Sequence, residues 1–126
     1  MQVAVGTESE MKREIVSEVF VGFEVVYTAT PTQKVLGRIE TDGDLRYAAI
    51  HRVRWVQRQF ASAYGVGLQF GVVEEYVVVW AACVDASMQM FVASGPRIPL
   101  SVDVSYRWLA KTAMRAAMLG FGWQVR

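Results

Sequence analysis

Cysteine and histidine are almost absent from this 126-residue sequence, which contains one of each. A single thiol, Cys83, excludes an internal disulfide. Its place in the apolar run YVVVWAACV predicts a small buried hydrophobic residue rather than a nucleophile. With His51 as the only histidine, a histidine-based triad or a zinc site would need several further partners. The composition therefore argues against catalysis by either route.

Long apolar runs are also missing, although 53% of the residues are hydrophobic and the mean hydropathy is +0.24. No run approaches the roughly 18 to 20 residues that a membrane-spanning helix needs. Residues 1–14 mix acids and bases and lack the basic start and apolar stretch of a secretory signal. We therefore expect a cytoplasmic protein with no membrane partner. The length fits one domain, residues 1–126, and the apolar excess predicts a homo-oligomer.

Motifs that carry catalytic chemistry are not recognisable either. The segment GVGLQFG (65–71) contains glycines but lacks the strand-to-helix context of a phosphate-binding loop. Glu74 and Glu75 are adjacent at an apparent turn, where strand alternation points them in opposite directions, so they do not form an acid/base pair. These absences predict a non-enzymatic protein with no catalytic residues, no metal site and no cofactor.

Apolar residues spaced for 3.6 residues per turn predict three helices. They are expected at about residues 7–20, 44–64 and 102–119. Thr7 or Ser9 can cap the first helix. Ser101 can cap the last one, and Gly120 and Gly122 can end it.

Strand-like segments rich in β-branched and aromatic residues separate these helices. One strand or extended connection is expected at residues 22–29, and a loop follows Pro31. The segments VGLQFGVVE, EYVVVWAACV and MQMFVASG predict a three-stranded antiparallel meander with turns near Glu74-Glu75 and residues 85–87. The predicted fold is therefore α+β: a three-stranded meander packed by a long central helix and a C-terminal helix (a β-β-β-α core), with an N-terminal helix.

The central helix carries a polar face opposite its apolar stripe. The residues on that face are Tyr47, His51, Arg54 and Arg58, with Trp55 alongside. Guanidinium groups attract phosphates and aromatic rings give bases a stacking surface, which suits single-stranded nucleic acid. The alternative is a solvated helix face, or packing of His51 and Trp55 at a subunit interface.

The last helix carries a sharper basic stripe. Arg107, Lys111 and Arg115 are spaced i, i+4, i+8, and Trp108, Met114 and Met118 are expected to flank them. An apolar-rimmed basic ridge suits nucleic-acid contact, and plain solvation is the alternative.

Several short motifs follow one another along the chain. They are K-V-L-G-R (34–38), L-R-Y-A-A-I-H-R-V (45–53), E-Y-V-V-V-W-A-A-C-V (75–84) and T-A-M-R-A-A-M-L-G-F-G (112–122). Their order and spacing over roughly residues 30 to 122 resemble the single-strand annealing family typified by the eukaryotic recombination mediator Rad-fifty-two, with its phage and bacterial relatives. One departure is Ala116, where the family commonly has a second basic residue after the position of Arg115.

This resemblance implies a minimal phage or bacterial recombination protein that assembles into a ring or filament. Such a protein would hold single-stranded DNA in a basic groove and promote annealing of complementary strands in recombination and repair, without a cofactor. By position, Arg38, Tyr47 and Arg115 match DNA-contacting residues of the family. The basic ridge adds Arg107 and Lys111, and the central helix adds Arg54 and Arg58 as further candidates.

Two other readings remain open at the level of sequence. A structural or assembly protein, such as a virion or scaffold component that oligomerises without binding nucleic acid, fits the composition equally well. An α+β enzyme with a small-ligand pocket needs a polar constellation that is not visible in the sequence.

Overall fold

The computed structural model describes residues 1–121, in which helices cover both faces of a mixed sheet. The strands are β1 (Gln2–Val5), β2 (Glu24–Tyr27), β3 (Tyr64–Val73), β4 (Tyr76–Val84), β5 (Met90–Ser94) and β6 (Ile98–Pro99). The helices are α1 (Glu10–Val19), α2 (Thr32–Leu36), α3 (Asp42–Phe60) and α4 (Tyr106–Met118), and a 3-10 turn follows at Leu119–Phe121. The predicted α+β class is confirmed.

The sheet has the order β2-β1-β3-β4-β5, with β6 paired to β4. β1 runs parallel to both β2 and β3, whereas β3, β4 and β5 form the antiparallel meander that the sequence predicts. The expected turn at Glu74-Glu75 is a two-residue hairpin in which both residues have positive φ, 49° and 69°. At the next turn, burial alone would raise the pKa of Asp85, but hydrogen bonds from Ser87 and Gln89 lower it.

The core has two parts, one on each face of the sheet. Helices α1 and α4 cover one face, and the side chains between them and the strands form the larger cluster. Helix α3 covers the other face through Ala49, Ile50 and Val53. Met114 and Met118 are buried in the larger cluster, so their predicted place beside an exposed basic ridge is wrong. The buried face of α4 therefore includes both methionines.

Helix ends differ from the prediction where the chain enters or leaves strands. Of the two predicted caps of α1, Thr7 and Ser9, it is Ser9 that caps the helix. Helix α3 ends at Phe60 rather than near residue 64, because Ala61 adopts a left-handed conformation and Tyr64 begins β3. Helix α4 begins at Tyr106 with Ser105 as its cap, not Ser101, because the preceding residues pair with β4 or turn. Gly122, proposed as a helix end, lies outside the described residues.

Three elements were missed by the sequence prediction. β1 and β6 were assigned to no element, and α2 lies in a segment that was assigned to a loop. Within residues 1–121, none of the helices combines the length and apolar content needed to cross a membrane.

Candidate functional site

β1 and β3 are parallel neighbours of unequal length, and this difference leaves an opening in the sheet. Their pairing ends at Val5 and Val66, whereas β3 continues to Val73. Among residues 1–121, no strand pairs with β3 on that side beyond Val66. In open α/β sheets, ligands bind outside the carboxyl ends of parallel strands where the chain direction or order changes. A ligand site is therefore expected at this opening.

Arg52 of α3 is the central side chain at this opening. Its Nε donates to Gln69 Oε1 of β3 at 2.9 Å, and its Nη1 donates to Thr30 Oγ1 after β2 at 2.9 Å. Gly6 and Gly67 allow α3 to lie close to the strands, since a Cβ at Gly6 would be 2.8 Å from the Arg52 carbonyl oxygen. The guanidinium is thus held in one orientation by two neutral partners.

Lys12, in the first turn of α1, supplies a second positive charge. Its side chain is half-buried, and burial, with a smaller contribution from the charge of Arg52, lowers its pKa. Burial also lowers the pKa of Arg52. Neither side chain forms an ion pair with a carboxylate of residues 1–121. Two half-buried cations without a counter-charge favour an anionic ligand.

Tyr106, the first residue of α4, closes the same region from the other helical layer. Its ring packs edge-to-face on Phe70 at a centroid distance of 5.5 Å. Burial raises the pKa of its phenol to about 12, an effect that the nearby charge of Arg52 opposes. We call the group of Lys12, Thr30, Arg52, Gln69 and Tyr106 the cationic notch.

A chain of hydroxyl contacts links the cationic notch to the only histidine. Thr30 Oγ1 lies 2.8 Å from Thr32 Oγ1, which lies 2.8 Å from His51 Nδ1. Burial, followed by the charges of Arg58 and Arg52, lowers the pKa of His51. The imidazole is therefore neutral near pH 7, and the contacts through Thr32 tie the loop after β2 to α3.

Carboxylates and other metal ligands do not converge at this site. Over residues 1–121, no group of three or more His, Cys, Asp or Glu side chains could hold a metal ion. The donor set of the cationic notch is instead two cations, two hydroxyls and an amide. Such a set suits phosphate or carboxylate oxygens rather than a metal ion.

The residues predicted on the central helix lie away from the cationic notch. Tyr47, Arg54 and Arg58 are exposed on the outer face of α3, where the Arg58 guanidinium carbon lies 5.7 Å from the Trp55 ring centroid. Arg38 is also exposed and pairs with Glu40 at 3.0 Å. A nucleic-acid contact by these residues stays a prediction that nothing in the structure tests.

The basic stripe of α4 is largely taken up by ion pairs with α1. Arg107 pairs with Glu14 at 3.3 Å and with Glu18 at 3.0 Å, and Lys111 pairs with Glu18 at 2.6 Å. Arg115 is exposed one turn further on. The predicted ridge is therefore mainly a contact layer between two helices, and a role in DNA binding stays untested for all three residues.

Sequence reasoning missed the residues of the cationic notch. A signal was present at the N-terminus, where the apolar segment V-A-V-G is followed by Thr7, Ser9 and Lys12 at the start of a helix. A glycine between a strand and a helix N-terminus is a frequent anion-binding arrangement. Because β1 was not predicted, this glycine was not recognised as the residue that follows a strand.

No protein-family model matches the chain. Over 108 residues, the chain is 30% identical to a protein of Oceanobacillus iheyensis named "Probable inosine/xanthosine triphosphatase", a match that covers 82% of this chain and 63% of that protein. The chain therefore spans less than two thirds of this relative. The crystal structure of protein VC0702 from Vibrio cholerae matches with a TM-score of 0.68 at 21% identity, covering 79% of this chain and 61% of that one. This second likeness shows a shared fold.

These comparisons overturn the functional prediction. The relative carries the name of an enzyme acting on nucleotides, so the resemblance to the annealing family is wrong. The expected functions in strand annealing, recombination and repair and the classification as a non-enzyme are wrong with it, and the alternative of an assembly protein finds no support. Physically, the motif at residues 45–53 reflects helix packing, since Leu45, Ala49 and Val53 are buried core residues.

Proposed function

We propose that this chain binds a purine nucleoside triphosphate through its phosphates in the cationic notch and takes part in hydrolysis of the triphosphate. Inosine and xanthosine triphosphate are the first substrates to test, because the relative of 30% identity is named for them. The observation that carries the proposal is the half-buried pair of Lys12 and Arg52 without a carboxylate partner in residues 1–121.

The geometry supports binding of a phosphate chain from two sides. Lys12 lies in the first turn of α1, where the helix dipole favours negative charge. Arg52 offers the guanidinium N–H groups that Thr30 and Gln69 do not use. Because those two partners fix the guanidinium, little side-chain entropy is lost when a phosphate binds.

Phosphoryl transfer depends mainly on positioning and on stabilising charge that spreads over the phosphoryl oxygens. Lys12 and Arg52 would supply that stabilisation directly. Mg²⁺ commonly binds through substrate phosphates with only one or two protein carboxylates. Mg²⁺ would therefore bind to this site together with the nucleotide.

The proposal is tested by measuring phosphate and pyrophosphate release from inosine, xanthosine, adenosine and guanosine triphosphates in the presence of Mg²⁺. Lys12→Gln removes one unpaired cation, and we expect kcat/KM to fall by about 10- to 100-fold, since a hydrogen bond to a charged group is worth about 1.5–3 kcal/mol. Arg38→Gln is the matched control, because Arg38 is exposed and paired with Glu40. Its kcat/KM should equal that of the wild type.

Two results would contradict the proposal. One is a wild-type protein that neither binds nor hydrolyses any of the four nucleotides. The other is a Lys12→Gln variant as active as the Arg38→Gln control.

A further inference from the structure

The Tyr106 hydroxyl stands out among the polar groups of the cationic notch. It is buried, and it has no hydrogen-bond partner within residues 1–121. The ring itself is well placed, because Ser105 caps α4 by accepting from the Trp108 amide and Phe70 packs against the ring edge. A fixed side chain with an unsatisfied buried hydroxyl is uncommon in native structures and calls for an explanation.

The other polar side chains around Arg52 already have partners. Gln69 accepts from Arg52 through Oε1 and donates from Nε2 to the Phe70 carbonyl at 3.1 Å. Thr30 contacts both Arg52 and Thr32. Tyr106 is thus the hydroxyl of the cationic notch that has a donor left, and the charge of nearby Arg52 opposes the rise in its pKa.

We infer that the Tyr106 hydroxyl donates a hydrogen bond to an oxygen of a triphosphate held by Lys12 and Arg52. This makes Tyr106 a binding residue that α4 contributes to a site otherwise built by α1, α3, β3 and the loop after β2. The inference rests on the proposed function. A phosphate oxygen only accepts hydrogen bonds, and the phenol stays protonated at neutral pH, so donor and acceptor match.

The test is the variant Tyr106→Phe, which removes only the hydroxyl. Binding of inosine triphosphate and of inorganic tripolyphosphate is measured by calorimetry, and the Tm is measured without ligand. We expect affinity for both ligands to fall by about tenfold or more, as for loss of a hydrogen bond to a charged group. The ligand-free Tm should stay equal or rise, because an unsatisfied buried group has been removed. Tyr47→Phe, on the exposed outer face of α3, is the control and should change neither quantity.

The outcomes separate the inference from the proposed function. If the wild type binds neither ligand, the proposed function fails and the inference fails with it. If the wild type binds and Tyr106→Phe binds equally well, only the role of Tyr106 is overturned. A lower ligand-free Tm with unchanged affinity would instead assign the hydroxyl a structural role and would also overturn it.

Discussion

Gly67 controls how closely α3 approaches β3, and with it the position of Arg52. A Cβ at Gly67 would overlap the Ala49 carbonyl oxygen and would lie 2.8 Å from the Val53 nitrogen and 3.1 Å from the Arg52 Cβ. Because backbone atoms cannot move aside as side chains do, the helix itself must shift. We expect Gly67→Ala to lower the free energy of unfolding by about 1–3 kcal/mol, as overpacking does, and to weaken nucleotide binding. Chemical denaturation and calorimetry measure the two effects.

Gly43, in the first turn of α3, provides the control. Its added Cβ would meet only the Thr41 Oγ1, at 3.9 Å. Gly43→Ala should therefore raise the free energy of unfolding by up to about 1 kcal/mol. Equal destabilisation by both alanines would show that the close approach at Gly67 is not the cause.

Single residues were predictable from sequence where burial alone decides their place. Cys83 lies buried in β4 as expected. Arg52 was overlooked although it sits between His51 and Val53, because it falls at the border of the polar and apolar faces of α3. Its partners Thr30 and Gln69 are 22 and 17 residues away along the chain, so only the tertiary pairing of strands brings them together.

At the scale of elements, the β3-β4 hairpin carries residues that do not suit its turn. Glu74 and Glu75 both adopt positive φ, which costs a residue with a side chain more than it costs Asn or Gly. The double variant Glu74→Asn/Glu75→Gly should raise the free energy of unfolding by about 1 kcal/mol. Thermal and urea denaturation measure the change.

Glu8→Gly is the control for this pair, since Glu8 is an exposed loop residue whose φ is not positive. Glycine at this position increases the conformational entropy of the unfolded chain and relieves no backbone strain in the folded one. The free energy of unfolding should therefore not increase. A gain from Glu8→Gly as large as that from the hairpin variant would contradict the explanation.

Elements with a strong local signal were predictable, and short ones were not. The meander and the three long helices follow from alternation, helical periodicity and turn residues. β1 has four residues, three of them buried, and a parallel strand covered on both faces shows no alternation. Its omission hid the parallel part of the sheet and therefore the opening where the cationic notch lies.

At the scale of the whole molecule, several shifted pKa values act in the same direction on stability. Burial keeps the pKa of His51 below its ordinary 6.5. Burial would raise the pKa of Asp42, but Trp80 and Arg97 hold it below its ordinary 3.8. Hydrogen bonds from the Thr41 and Glu40 backbone lower the pKa of Asp44. For each group, the unfolded chain binds protons at a pH where the folded chain does not.

Stability should therefore decrease as the pH falls, first below about 6.5 through His51 and then below about 4 through the aspartates. Urea denaturation between pH 7.5 and pH 3 measures this decline. In His51→Gln the loss between pH 7 and pH 5 should be smaller, whereas an unchanged profile would exclude His51 as its source.

Assembly is a property of the whole molecule that stays a prediction. Phe70, Val72 and Trp108 are 42–51% exposed, as expected for a chain with an apolar excess. A ring, a filament or any other homo-oligomer would be distinguished by light scattering of the purified protein.

The buried thiol of β4 has a practical consequence for measuring how the sheet opens. Cys83 is the only cysteine, β4 is bonded to β3 on one side and β5 on the other, and burial raises the thiol pKa to about 12. Alkylation requires an accessible thiolate, so a maleimide can react only after this central strand is exposed. The labelling rate of Cys83 therefore measures how often β4 becomes exposed in the native chain. Comparing the rate with and without nucleotide shows how far a bound ligand suppresses this exposure.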